Sequence, residues 1–354
     1  MMARTLGLAA LTLAFVACAT LGAETDFPGI VQTSGAGPFR LLNRDETGGL
    51  AAPDGRIYLN RQASNRSMIA DGMLFYDGAD VLDEPPERNP DLPEGVIDPD
   101  QVGPSRIFRA EPRDVDGEDV LEGALSFNSG PMILEASESW EGASVFDPWV
   151  HVDVDGTARL YYAAAGGIGV AEASAASGTF AKVAGPVITD ARSPSVVDFG
   201  GEFILLFEAT DTGTIGMARS SDGRSFTEAT RALDLELAGE TSLGRPGAVG
   251  ATTPTGRTIL RVYFEAVNAD DLRIISLAAT EDLESWDRLA SEIGVLSTVE
   301  DARAPAPLIR RDGITVLTLT RSRVSGGVEL RAVCGAMAPA NLSLVDVPDP
   351  PAEE

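Results

Sequence analysis

Lysine is almost missing from this chain. Of its 27 basic residues only Lys182 is a lysine, histidine occurs once, as His151, and cysteine twice, as Cys18 and Cys334. Two cysteines cannot build a disulfide framework, and Cys334, set in an apolar run, reads as a small core residue. The 54 acidic residues leave a net charge of −27 over 354 residues. A surface this negative repels phosphate backbones, which excludes nucleic acid as a partner. Sustained helical periodicity is missing too. Instead, 37 glycines and 22 prolines punctuate short apolar runs, so the chain reads as all-β. No Walker loop, dinucleotide fingerprint or zinc-ligand cluster occurs, and Asp114-Val-Asp-Gly-Glu-Asp119 lacks the twelve-residue calcium-loop pattern. Neither cofactor nor metal is expected.

What the chain does have is a repeat. An arginine opens an apolar run, a glycine turn follows, and a second apolar run rich in aromatics returns. The copies begin at Arg66, Arg192, Arg245 and Arg303. A fifth, Phe146 to Ala163, fits the same frame but carries Asp147 where the others carry arginine. Within each unit, runs such as SPSVVDF and EFILLFEA flank Gly-Gly or Asp-Gly turns and read as hairpins. Four short antiparallel strands per unit and five units predict a five-bladed β-propeller over residues 65–345.

Four segments fall outside that repeat. Arg4, the apolar stretch Leu6–Val16 and the small residues after it form an export signal over residues 1–23, too short to span a bilayer. Phe15-Val16-Ala17-Cys18 matches a bacterial lipobox, which would make Cys18 a lipidated membrane anchor; Ala17-Cys18-Ala19 also fits an ordinary cleavage site. Residues 24–64 are expected to pack on the propeller, and the acidic tail 346–354 to be disordered. Residues 81–104 hold seven acids and six prolines and are expected to interrupt the first blade as a loop or flap over the channel.

Antiparallel pairing brings the start of a blade's first strand beside the end of its second. This predicts Arg66 near Asp77, Arg192 near Glu208 and Arg245 near Glu265, all around one mouth of the channel. Arg303 is expected beside Arg321, and Asp147 beside Ala164 with no countercharge. Arg–carboxylate pairs recurring in this way can simply satisfy a crowded ring, since the guanidinium fork binds carboxylate bidentately. A carboxylate without a partner is a candidate for acid–base work or for orienting a ligand. His151, four residues after Asp147, is expected to be a core or channel-lining residue, and in the second case a ligand contact. The near-identical Asp190-Ala-Arg-Ser-Pro and Asp301-Ala-Arg-Ala-Pro enter two different blades.

The unit exemplified by Ile215-Gly-Met-Ala-Arg-Ser-Ser-Asp-Gly-Arg-Ser-Phe226, with Ile168 to Phe180 and Ile275 to Trp286 close to it, resembles the five-bladed propellers of glycoside hydrolase families 43, 32 and 68 and their phosphorylase-like relatives. The likeness covers roughly residues 65 to 335. It implies a carbohydrate ligand in the central funnel of a monomer and, through Asp147-Pro148, a base at Asp147. Where those families place a Glu-Pro acid, this chain has Gly244-Arg245-Pro246. Glu208 and Glu265 are therefore the candidates for a second carboxyl, and in the phosphorylase-like relatives arginines at such a mouth hold phosphate. A non-catalytic surface lipoprotein that binds glycan or a protein partner is the alternative.

Overall fold

A computed structural model describes residues 39–41, 61–80, 103–112, 127–128, 130–183, 185–236, 239–252, 258–270, 272–288, 302–309, 315–322 and 328–335. No helix occurs among them. The chain enters through β1 (Phe39–Leu41). The first sheet holds β2 (Arg61–Ala70), β3 (Met73–Asp80), β4 (Arg106–Pro112) and β5 (Phe127–Asn128), with β6 (Met132–Leu134) also paired to β4. The second runs β7 (Val145–Val152), β8 (Ala158–Ala164), β9 (Gly167–Ala173), β10 (Ala181–Lys182), and the third β11 (Ala191–Phe199), β12 (Glu202–Ala209), β13 (Thr214–Ser220), β14 (Thr230–Leu233). The fourth comprises β15 (Glu240–Thr252), β16 (Thr258–Asn268), β17 (Arg273–Thr280) and β18 (Asp287–Arg288). The fifth is β19 (Ala302–Ile309), β20 (Thr315–Ser322) and β21 (Val328–Gly335), and its fourth strand is β1.

This is a five-bladed β-propeller. The first strands of the sheets, β2, β7, β11, β15 and β19, neighbour one another in a circle that closes from β19 back to β2. The last sheet is completed from the N-terminal side, where Phe39, Arg40 and Leu41 pair with Gly335, Cys334 and Val333. Part of the stretch 24–64 is thus a propeller strand rather than a covering extension.

Tight turns follow from local chemistry. Asp71 and Gly72 both have positive φ (47° and 73°) between β2 and β3, the backbone that a two-residue primed hairpin requires. Gly200 and Gly201 do the same between β11 and β12. Because blades pack face to face, inner strands lose the in-out alternation of a solvated sheet. In β8 every residue but Arg159 is buried. Polar ties join the blades: Tyr161 donates to the Gly223 carbonyl (2.7 Å), the Trp149 indole to Val196 O (2.7 Å) and Thr318 Oγ1 to Ser67 O (2.8 Å).

Candidate functional site

Each innermost strand is interrupted at the same end by a bulge. In the second to fifth blades two residues stand opposite one, at Asp147-Pro148, Ser193-Pro194, Arg245-Pro246 and Ala304-Pro305. Proline has no N–H to give to the ladder, and bulges are where a sheet tolerates it. The residue before it is left-handed in every case, with φ of 52° at Asp147, 53° at Ser193, 47° at Arg245 and 50° at Ala304. Four non-glycine residues held in this sparsely populated region mark the mouth as the strained part of the scaffold. In the first blade the bulge lies between Ala63 and Ser67, with Arg66 as its last residue.

A circuit of hydrogen bonds fixes Asp147. The Arg66 backbone N–H donates to Asp77 Oδ1 (3.0 Å), and Asp77 Oδ2 accepts the Asp147 backbone N–H (3.2 Å). Ser193 Oγ donates to Asp147 Oδ2 (2.6 Å). The next residue, Pro194, offers its carbonyl to Arg66 Nη1 (2.6 Å), which closes the loop. Arg66 Nη2 reaches further, to the Pro246 carbonyl in the fourth blade, and its guanidinium lies 5.2 Å from the centroid of Trp149. The Arg66 side chain thus reaches from the first blade to the second, third and fourth. Asp147 is 2% exposed, and its Oδ1 is buried with no hydrogen-bond partner among the described residues.

Two further carboxylates at this end serve the neighbouring blade. Glu208 Oε1 accepts from Arg192 Nε (2.9 Å), while Oε2 accepts the Arg245 N–H (3.3 Å). Glu265 Oε1 accepts both Arg245 Nη1 (3.2 Å) and the Ala304 N–H (2.6 Å). The Arg192–Glu208 and Arg245–Glu265 pairs thus form as antiparallel pairing predicts.

Charge is concentrated here. Burial pushes the Arg66 guanidinium down to about 10; Asp147, Glu265 and Glu208 oppose that shift, and Arg245 adds to it. At Arg245 burial also disfavours the charge, but Glu265, Asp147 and Glu208 outweigh it and hold the guanidinium above its ordinary value. Asp147 thus acts on both arginines.

The structure refines five placements. Arg66 and Asp77 are neighbours as expected, but they meet through a backbone N–H, and the Arg66 side chain is buried against carbonyls. Asp147 stands in the bulge rather than beside Ala164, which pairs with Val145, and its side-chain partner is the neutral Ser193 of the next blade, which the spacing of the arginines did not single out. The residues equivalent to Asp147 are Ser193, Arg245 and Ala304, whereas Arg192 and Arg303 sit one position earlier, and the Arg192 side chain is 53% exposed. Aligning the repeats on proline instead of arginine would have found Ser193. Arg303 faces Thr320, and Arg321 faces Ala302. His151 lies at the other end of β7, opposite Arg159, roughly 13 Å along the strand from Asp147. There it contacts Asp153 (3.3 Å) and the edge of Phe203, and burial lowers its pKa despite Asp153 and Asp198. Among the described residues no group of three or more His, Cys, Asp or Glu is arranged to hold a metal. The export signal, the acidic tail and residues 81–102 lie outside the described residues; that last stretch links β3 to β4.

The chain matches no protein-family model and no curated protein. Its fold is shared with solved carbohydrate-active enzymes. The β-1,2-mannobiose phosphorylase of Listeria innocua, solved with β-1,2-mannobiose, superposes with a TM-score of 0.54 at 11% identity, covering 86% of this chain and 98% of that one. The β-xylosidase RS223 gives 0.53 at 14% identity over 78% and 93%. The catalytic domain of the Coprinopsis cinerea family 62 α-L-arabinofuranosidase gives 0.53 at 10% over 81% and 94%. At these identities the likeness is one of fold.

Proposed function

We propose that this protein takes a carbohydrate at the bulged mouth of its channel, with Asp147 as the carboxylate that meets the sugar and as the candidate base. One observation carries the reading: Oδ1 of Asp147 is a buried acceptor without a partner among the described residues, while Oδ2 is held by Ser193. A buried, unsatisfied carboxylate oxygen requires an explanation, and a ligand hydroxyl or a water is the simplest donor. The neighbours in fold add direction, since their names refer to xylosides, arabinofuranosides and mannobiose.

Binding without turnover is the second reading, and a specific observation favours it. Cleavage of a glycoside ordinarily uses two carboxyl groups, one of them able to protonate the leaving oxygen. Glu208 and Glu265 each accept from an arginine and a backbone N–H, so both are already engaged within the scaffold. The arginines at the mouth are similarly engaged, with Arg66 on two carbonyls and Arg192 and Arg245 on their glutamates.

An array of xylo-, arabino- and manno-oligosaccharides, with product analysis of any that bind, tests both. The expected result is retention of at least one glycan by the wild type and loss of that binding in Asp147→Asn. Absence of any glycan bound or cleaved by the wild type would sink the carbohydrate reading; binding without products would select the second. We further infer from the N-terminal sequence that the chain is exported and anchored through Cys18. Fatty-acid labelling that persists in Cys18→Ser would exclude that anchor.

A further inference from the structure

We infer that Ser193 is the positioning residue of Asp147, with Asp77 holding the backbone and Arg66 locking both supports together; this rests on the reading that Asp147 meets the ligand. Asp147 has three polar handles near the channel. Its N–H is taken by Asp77 Oδ2 and its Oδ2 by Ser193 Oγ, so only Oδ1 remains to face a ligand. The two supports are not independent. Arg66 ties to Asp77 through its backbone and to Pro194, the residue after Ser193, through its guanidinium. A carboxylate supported in this way keeps one rotamer before the ligand arrives, which is the condition under which a site binds without reorganising.

Ser193 Oγ is committed to Asp147 Oδ2, so the part of this serine is to hold the carboxylate. Its backbone supports a role in the site. A serine at φ 53° occupies a conformation that glycine adopts at no steric cost, so the hydroxyl is retained at the expense of backbone strain. The equivalent positions carry arginine and alanine in the fourth and fifth blades, and only in the third, beside Asp147, is there a hydroxyl.

Ser193→Gly separates the two roles, since it removes the hydroxyl and relieves the strained φ. Relief of the strained φ and loss of the donor to the buried Asp147 Oδ2 act in opposite directions, so the thermal midpoint is expected to move little. In a crystal structure the bulge backbone should be unchanged while the Asp147 carboxylate leaves its position. Affinity for the array glycan that the wild type retains should fall on the order of tenfold or more, as for loss of a charge-assisted hydrogen bond. Ser193→Ala, which keeps Cβ, should behave alike in both respects and serves if the glycine variant folds poorly. An Asp147 carboxylate that holds its rotamer in both variants overturns the inference whatever the array shows. A wild type that binds no glycan removes the carbohydrate reading alone, and positioning is then decided by the crystal structures.

Discussion

Single residues at the mouth divide into those that carry the scaffold and those that the scaffold carries. Arg245 belongs to the first kind. With Arg245→Ala, the buried Glu265 would keep the Ala304 N–H as its one partner among the described residues, and breaking a buried ion pair from one side costs about 3 kcal/mol. Asp147→Asn preserves shape and an acceptor for Ser193, although Arg66 and Arg245 lose an opposing charge. A smaller loss, about 1 kcal/mol, is expected there. Denaturant melts of the two variants check the order, and an Asp147→Asn loss equal to that of Arg245→Ala would make Asp147 structural.

The only lysine in the chain shows the same logic away from the mouth. Lys182 Nζ donates to Glu135 O (2.6 Å), Ser137 Oγ (2.9 Å) and Glu141 Oε2 (2.6 Å), and Glu141 is fully buried. Burial alone would raise the Glu141 pKa. The bonds from Lys182, Tyr162 and the Glu138 and Ser137 amides reverse that and lower it. A carboxylate with a lowered folded-state pKa contributes stability above its unfolded value of about 4.3 and loses it as the pH falls through the folded value. In Lys182→Met the burial effect gains weight, so the acid limb of the thermal midpoint against pH should move to higher pH. An unmoved limb would show that Lys182 does not hold Glu141 ionised.

At the scale of the element, the innermost strand decides what reaches the channel. The number of blades and the end at which the arginines cluster were legible in the sequence, because hairpins with Gly turns recur as whole units. The register at the mouth was not. A bulge inserts a residue without leaving a gap in the chain, so arginines that look equivalent by spacing differ by one place, and one place on a strand changes the direction of the side chain. Proline carried the missing signal, since it is the second residue of the bulge in four of the inner strands. His151 was misplaced for a related reason: closeness in sequence to Asp147 is distance along an extended strand. Two glycines of β15 test how tightly these strands are set. A Cβ on Gly247 would fall 2.0 Å from the Pro305 carbonyl oxygen, part of the next blade's backbone, whereas on Gly244 it would meet the Glu208 carboxylate at 2.7 Å. Gly247→Ala should therefore cost about 3 kcal/mol by forcing two inner strands apart, and Gly244→Ala about 1 kcal/mol. Equal midpoints for the two variants would contradict the inner-strand packing.

Over the whole molecule, the ring holds only if its last sheet is complete, and that sheet is assembled from both ends of the described chain. β1 supplies three residues against β21, at the outer edge of the sheet whose inner strand β19 meets β2. Its sequence, Phe39-Arg40-Leu41, is too short to be read as a strand without its partner. Removing residues 1–41 would leave β21 as an unprotected edge, with its outward backbone groups returned to water or open to another chain. Two or three ladder hydrogen bonds at about 1 kcal/mol each correspond to a fall in the thermal midpoint of roughly 5 °C. The loss should appear as a shift of one cooperative transition, because the fifth blade lies between the fourth and the first and cannot loosen without both. It should be accompanied by concentration-dependent association through the bared edge. Calorimetry of the truncated chain at several concentrations is the measurement. An unchanged midpoint, or a separate early transition confined to the fifth blade, would mean that β1 does not close the ring.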